Sequence, residues 1–252
     1  MAFEEKPMAI AFGMLTEILR KNGEYSLDIT KQSWYLSPEL ESEVMEAFGF
    51  ITKQMGLIIC ERNKVIYLSP GVDNPVYGMT LEEIKTQLSP SFTNLHLYTS
   101  FFIIHVIITE FYKESMPETQ RAFILKSDLI DVIDAKIDAL STHAELDKLS
   151  EEHDYNFSEI RNLWKELPVI MHKKGRNELI ERGKSSRYSL VNTTLRFLED
   201  QNLVNVHEDM IRLTERFKAI IDNAYRNEQV QSGIAQMIES LTSTEASEYA
   251  DN

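Results

Sequence analysis

The chain has 252 residues, with 26 Lys+Arg against 40 Asp+Glu and a formal net charge of −14. Apolar residues make up 43% and aromatics 10%, enough for a packed core and against disorder; the single cysteine, Cys60, excludes a disulfide framework and a four-cysteine zinc site. The acidity argues against coating nucleic acid through the overall field, and the opening MAFEEK lacks the basic-then-apolar order of a signal peptide, so an acidic, soluble, cytoplasmic protein is expected.

Met8 to Arg20 places Met8, Ala11, Phe12, Leu15, Ile18 and Leu19 at three- and four-residue spacing, which predicts a helix ended by Asn22-Gly23. Ser37-Pro38 is a cap followed by proline at the first helical position, with Glu39 and Glu41 in the positive first turn. The helix it opens carries Leu40, Val44, Phe48, Ile51 and Met55, and Gly56 closes it. Leu57 to Cys60 and Val65 to Leu68 then flank the polar turn Glu61-Arg62-Asn63-Lys64, which predicts a hairpin.

The middle of the chain is expected to be helical. Thr80 to Glu83 is a capping box that opens a short helix with Leu81, Ile84 and Leu88. From Thr86 to Thr109 there is no Asp, Glu, Lys or Arg, and Phe101 to Ile108 is almost wholly apolar. A membrane span needs about 20 consecutive apolar residues, and Pro90, Asn94, His96 and Ser100 leave too few before Glu110. A helix buried on all sides is the expectation, with Phe101, Phe102, Ile104 and Ile108 as candidates for self-association. Pro117 starts another segment, and Ser127 to Leu149 sets Leu129, Ile130, Ile133, Ile137 and Leu140 against an Asp-rich side.

A second helix-then-hairpin order closes the fold. Asn156 to Glu159 is a capping box that leads Ile160, Leu163, Trp164 and Leu167 into Pro168. Arg187 to Gln201 predicts a helix, and Leu203 to Val206 and Met210 to Leu213 flank His207-Glu208-Asp209. Thr214 caps a further helix with Phe217, Ile220, Ile221 and Tyr225. A weak helix with Val230, Ile234, Met237 and Leu241 follows, then an acidic tail expected to be disordered.

The fold class expected is therefore mostly α with small β-hairpins (α+β), as two winged-helix domains joined by a helical middle. The boundaries are 1–71 for the N-terminal domain, 72–154 for the helical linker and dimerisation region, 155–226 for the C-terminal domain, and 227–252 for the tail. A single α+β domain with incidental hairpins is the plainer alternative. Winged helices read DNA through the helix before the wing, or dock proteins, and fold alone does not choose.

The segments MAFEEKPMAIAFGMLTEIL, GLIICERNKVIYLSP and SLVNTTLRFLEDQNLVNV resemble the MukE-like, kleisin-interacting tandem winged-helix (KITE) family, most of all its members in Wadjet plasmid-defence systems. The resemblance covers nearly the whole chain through the general order of its elements, and it carries no diagnostic motif from which a site residue can be transferred. It implies a non-enzymatic, nucleoid-associated homodimer that grips the kleisin subunit of an SMC-type, condensin-like ATPase and helps hold DNA. The competing expectation is a stand-alone winged-helix transcriptional regulator whose Arg187 helix reads an operator.

No catalytic, cofactor or metal site is expected. Gly183-Lys184-Ser185 ends like a phosphate-binding loop, but the glycine required five residues earlier is Glu178. No two of the six histidines stand four residues apart. Asp128, Asp131, Asp134 and Asp138 read as a solvated helix face, Cys60 as a buried, inert thiol, and no serine sits in a G-x-S-x-G setting.

Charge by segment is more informative than the total. Residues 1–126 carry a net −5, 127–168 a net −7, 169–196 a net +5 and 197–252 a net −7. The basic island holds Lys173, Lys174, Arg176, Arg182, Lys184, Arg187 and Arg196, the candidate DNA contacts, with Ser185, Ser186 and Asn192 as neutral donors. A solvated basic loop that balances its acidic neighbours is the plainer reading. Tyr25, Trp34 and Tyr35 are candidate anchors for a partner peptide, with placement in their own core as the alternative for Trp34.

Overall fold

The computed structural model describes residues 4–20, 24–27, 37–70, 74–112, 121–142, 156–169 and 186–226. These residues form a mostly helical fold with two three-stranded antiparallel sheets. They divide into two compact units, one of Met1–Thr80 with Thr214–Arg226 and the other of Leu81–Leu213, Asn227–Asn252 being outside the described residues.

The first unit begins with α1 (Glu5–Arg20), which buries Ala11, Met14, Leu15 and Ile18. Strand β1 (Glu24–Ser26) is three residues long, too short to show any periodicity in the sequence. Helix α2 (Pro38–Gln54) starts as predicted, with the Ser37 side chain accepting from the Leu40 N–H at 3.4 Å. It ends at Gly56, which takes φ +64°. There the Asn74 side chain donates to the Met55 and Gly56 carbonyls at 2.9 and 2.8 Å, and a Cβ on Gly56 would stand 3.0 Å from it. Alanine at Gly56 would thus be strained twice, by backbone and by space.

Strands β2 (Leu57–Arg62) and β3 (Val65–Pro70) are longer than predicted, and the turn shrinks to Asn63-Lys64. Both turn residues have positive φ, the two-residue geometry that matches the right-handed twist of the strands. The sheet order is β1-β3-β2. One face packs Tyr25, Leu57, Ile66 and Leu68 onto α1 and α2.

The other face is covered from the far end of the chain. Helix α8 (Glu215–Arg226) packs Ala219 and Ile220 against Cys60, Val65 and Tyr67. Its cap is the predicted one, Thr214 Oγ1 accepting from the Phe217 N–H at 3.1 Å. Sequence order alone puts this helix with the C-terminal module, but its contacts put it in the first unit. The reason is that β3 buries Ile66, Tyr67 and Leu68 consecutively, which requires cover on both faces of the strand. Polar contacts complete the grip: Arg62 Nε donates to Glu215 at 3.0 Å, and Arg62 also pairs with Asp222. Asn63 donates to Glu215 at 2.8 Å, and Asn223 to the Ile59 carbonyl at 3.2 Å. Burial pushes the Cys60 thiol up to about 11, against the pull of Arg216, so it stays protonated and inert as expected.

The second unit is built around α4 (Asn94–Phe111), on which α3 (Leu81–Leu88), α5 (Lys126–Thr142), α6 (Phe157–Glu166) and α7 (Arg187–Asp200) pack. Leu97, Phe102, Ile103, Val106, Ile107 and Phe111 of α4 are buried. Its buried Glu110 pairs with Arg121 at 3.3 Å, which ties the end of α4 to the approach of β4 (Ile124–Leu125). Helix α5 is described only to Thr142, and Pro117 and the predicted extension to Leu149 lie outside the described residues. Strands β5 (Val204–His207) and β6 (Met210–Leu213) form the predicted second hairpin, and β4 joins it in the order β4-β6-β5. The first unit thus runs helix, strand, helix, hairpin, and the second runs two helices, a strand, three helices and a hairpin; in both, the first strand lies beside the third.

The Arg62 grip yields a test. Burial pushes the Glu215 carboxyl up, but hydrogen bonds from Lys218 and Arg62 outweigh it and hold its pKa below the usual carboxylate value. A depressed folded-state pKa contributes stability above the unfolded value that is lost as pH falls through the folded one. Cover by α8 should therefore loosen below about pH 4.5, and Arg62→Ala should loosen it at neutral pH by about 1–2 kcal/mol. Labelling of Cys60 by 4,4′-dithiodipyridine measures both: about tenfold faster reaction of the variant is expected, and an unchanged rate refutes the grip.

Candidate functional site

The winged-helix expectation assigns groove entry to the helix before each hairpin, so the outer surface of that helix is where DNA contact would fall. The two units answer differently. Helix α2 exposes Glu39, Glu43 and Glu46 at four- and three-residue spacing along one face, with Glu41 exposed beside them. That surface repels phosphate.

Helix α7 fails for a steric reason. Ser186 caps it, accepting from the Ser189 N–H at 3.1 Å. Ser189, Leu190, Val191, Asn192, Thr193, Thr194 and Leu195 are consecutively buried, followed by Phe197 and Leu198. Helices α3, α4 and α5 and strand β5 surround it. Its exposed residues are Arg196, Glu199 and Asp200, all in the last turn and a half. A helix covered in this way has no side to lay in a groove. Asn192, expected as a phosphate donor, is inside, and its Nδ2 has no hydrogen-bond partner among the described residues.

Arg187 is also turned inward. Its Nε donates to the Trp164 carbonyl at 3.0 Å, its Nη1 reaches Asp134 at 2.8 Å, and the guanidinium lies 5.7 Å from the Trp164 ring centre. Trp164 Nε1 donates to the same Asp134 oxygen. This knot joins α5, α6 and the start of α7, so Arg187 is a structural arginine and not a phosphate contact. Of the Asp ladder, Asp128, Asp131 and Asp138 are exposed as expected, Asp138 pairing at the surface with Lys165 at 3.0 Å, and only Asp134 departs from the solvated reading by holding the knot. Arg196 is exposed, while Lys173, Lys174, Arg176, Arg182, Lys184 and Ser185 lie outside the described residues.

The protein-contact candidates divide similarly. Tyr25 is buried in the core of the first unit, where burial, and after it Glu17, raises its pKa; it is no free anchor. Trp34 and Tyr35 lie outside the described residues. Phe102 is completely buried within its own unit, so it cannot meet a second copy. Phe101, Ile104 and Ile108 are half-buried, and with Tyr98 and His105 they form one stripe along α4. Tyr98 and Phe101 meet edge to face at 6.4 Å, and burial lowers the pKa of His105. Among the described residues no group of three His, Cys, Asp or Glu is placed to hold a metal, and no helix is long and apolar enough to cross a membrane.

What sequence reasoning missed is the burial of α7 and the return of α8 to the first unit. A signal for the first existed, because Tyr188 to Leu195 carries no charge. The second had none, since the ion pairs joining Arg62 to α8 span more than 150 positions.

The model of a family of unknown function, DUF6063, matches residues 1–245, and the chain belongs to that family. No curated protein matches the chain.

The Arg187 knot predicts that Arg187→Ala destabilises the protein by about 2 kcal/mol, through loss of a hydrogen bond to a carboxylate and of ring contact. Arg196→Ala should stay within about 0.5 kcal/mol of the parent, as exposed substitutions usually do. Urea unfolding of the two variants checks the contrast, and equal effects refute it.

Proposed function

From a family without an assigned function, we propose that this chain is a non-enzymatic adaptor made of two winged-helix modules that dock protein instead of reading DNA sequence. As a homodimeric subunit it grips the kleisin of an SMC-type ATPase complex, in plasmid defence or chromosome organisation, and helps clamp DNA without base preference. One observation carries the choice between docking and reading: of the two helices that precede hairpins, one faces outward with glutamates and the other is buried on nearly all sides. The repeated order of elements and the first-third-second strand order support the winged-helix assignment. The half-buried stripe of Phe101, Ile104 and Ile108 supports self-association through α4.

DNA contact in this reading falls to the basic island at 169–196 without Arg187, that is to Lys173, Lys174, Arg176, Arg182, Lys184 and Arg196; the island's net +5 stands out in a chain of −14. A few lysines and arginines suffice for weak, salt-dependent retention, each phosphate contact contributing about −0.9 to the salt slope. The stand-alone regulator is the weaker reading, because base readout needs a free helix face.

Co-expression with the kleisin and ATPase of such a complex tests the proposal. A stoichiometric assembly containing a dimer of this chain is expected, while a monomer that binds no kleisin refutes it. Base-specific binding by the isolated chain at physiological salt would favour the regulator instead. Within the assembly, reversing Lys173, Lys174 and Arg176 to glutamate should weaken DNA retention and flatten its salt dependence without unfolding the protein. Unchanged retention removes the basic island from the mechanism.

A further inference from the structure

Helix α1 turns one side to the core of the first unit and leaves the opposite side bare. The core side is Ala11, Met14, Leu15 and Ile18. Between Lys6 and Arg20 its exposed residues are Ala9, Phe12, Gly13, Thr16 and Leu19, none of them charged. Phe12 and Leu19 are 51% and 50% exposed. Helix α2 shows the contrast, since its outer side carries Glu39, Glu43 and Glu46, as the solvated side of a helix does.

Three details of the bare side do nothing for the fold of the first unit. Glu5, Ala9, Phe12, Thr16 and Leu19 follow one another at spacings of four, three, four and three, the seam of a helix that pairs with another helix. Gly13 stands in mid-helix, where glycine weakens the helix relative to alanine, yet a Cβ there would meet nothing within 4 Å. An absent side chain on an exposed side lets a second backbone come close. Thr16 Oγ1 donates to the Phe12 carbonyl at 2.8 Å, so its hydroxyl is satisfied inside the helix and needs no partner across the seam.

We infer that this side of α1 is an isologous contact with α1 of a second copy of the chain, the two helices running antiparallel. Charge selects both the occupant and the direction. Exposed Glu5 and Arg20 stand at opposite ends of the seam. With a two-fold axis between Phe12 and Gly13, Glu5 of each copy meets Arg20 of the other, so the pair closes with an ion pair at both ends. Parallel helices would set glutamate on glutamate and arginine on arginine. The same axis sets Ala9 on the second copy's Thr16 and brings the two Phe12 rings together on one flank. On the other flank the two Gly13 positions let the helix axes approach. The dipole of α1 accounts by itself for a glutamate and an arginine at these ends; it accounts for neither the glycine nor the uncharged seam. One helix pair buries less than the about 800 Å² per partner of a stable interface, so the contact is reversible. This inference goes beyond the proposed function, which places self-association on α4 in the second unit, and it needs no kleisin.

The test uses two variants of the full chain, Ala9→Cys and Thr16→Cys, mixed at micromolar concentration under mild oxidation, with buried Cys60 left in place. A disulfide-linked dimer is expected from the mixture and about tenfold less from either variant alone, because like positions lie about 10 Å apart along an antiparallel pair. Gly13→Gln in both variants should leave the melting curve unchanged or raise it, yet lower the yield about fivefold. Arg20→Glu should lower the yield likewise, and adding Glu5→Arg to it should restore the yield. No disulfide in the mixture, the outcome if the chain's own tail or another protein covers α1, overturns the inference. So do an equal yield from Ala9→Cys alone, indifference to Gly13→Gln, and failure of the double charge swap to restore the yield. The disulfide reads α1 alone and kleisin co-purification is read separately, so either proposal can fail alone.

Discussion

A three-stranded sheet this small has two faces and cannot leave both wet, and that constraint organises the first unit. Inner residues of β1, β2 and β3 are satisfied locally by α1 and α2. The consecutive apolar residues of β3 demand a second cover, and the chain provides it by bringing α8 back after the whole second unit has been built. Arg62 sets the position of that cover because its guanidinium has two carboxylates to satisfy, Glu215 and Asp222, one at each end of a two-turn stretch of helix. The apolar patch beneath is small, so the polar contacts contribute specificity of seating as much as stability.

The second unit meets the same need in a different way. Its sheet is smaller still, with two-residue β4 at one edge, and its inner face packs inside a helical cluster. Helix α4 is almost uncharged and central, and α7 is enclosed by α3, α4 and α5. The Arg187 knot closes the cluster on the side where α7 begins. A helix used as core cannot also be a probe for bases, which is why the proposed function is docking and not sequence readout.

Charge distribution points the same way. The acidic face of α2 removes the first unit as a DNA reader, while the only net positive segment precedes and enters α7. In the proposed function, attraction to DNA is therefore local, confined to the segment 169–196.

Much of this was legible in the sequence. Ser37-Pro38 and Asn156 marked helix starts through capping chemistry that acts within four residues. Both hairpins, the apolar helix around Phe101 and the buried state of Cys60 followed from local patterns of the same kind. The three-residue β1 and two-residue β4 were not legible, because strands that short carry no periodicity and exist only through pairing with β3 and β6. The inward turn of Arg187 and the burial of Phe102 and Asn192 were likewise hidden, since composition does not say which face of a helix meets a neighbour. By itself the sequence determined the helices and hairpins, their order and the uneven charge, all of which depend on residues close along the chain. Tertiary structure alone decided which helix covers the first sheet and that Arg62 and Arg187 are engaged within the chain, because those outcomes depend on contacts between residues scores of positions apart.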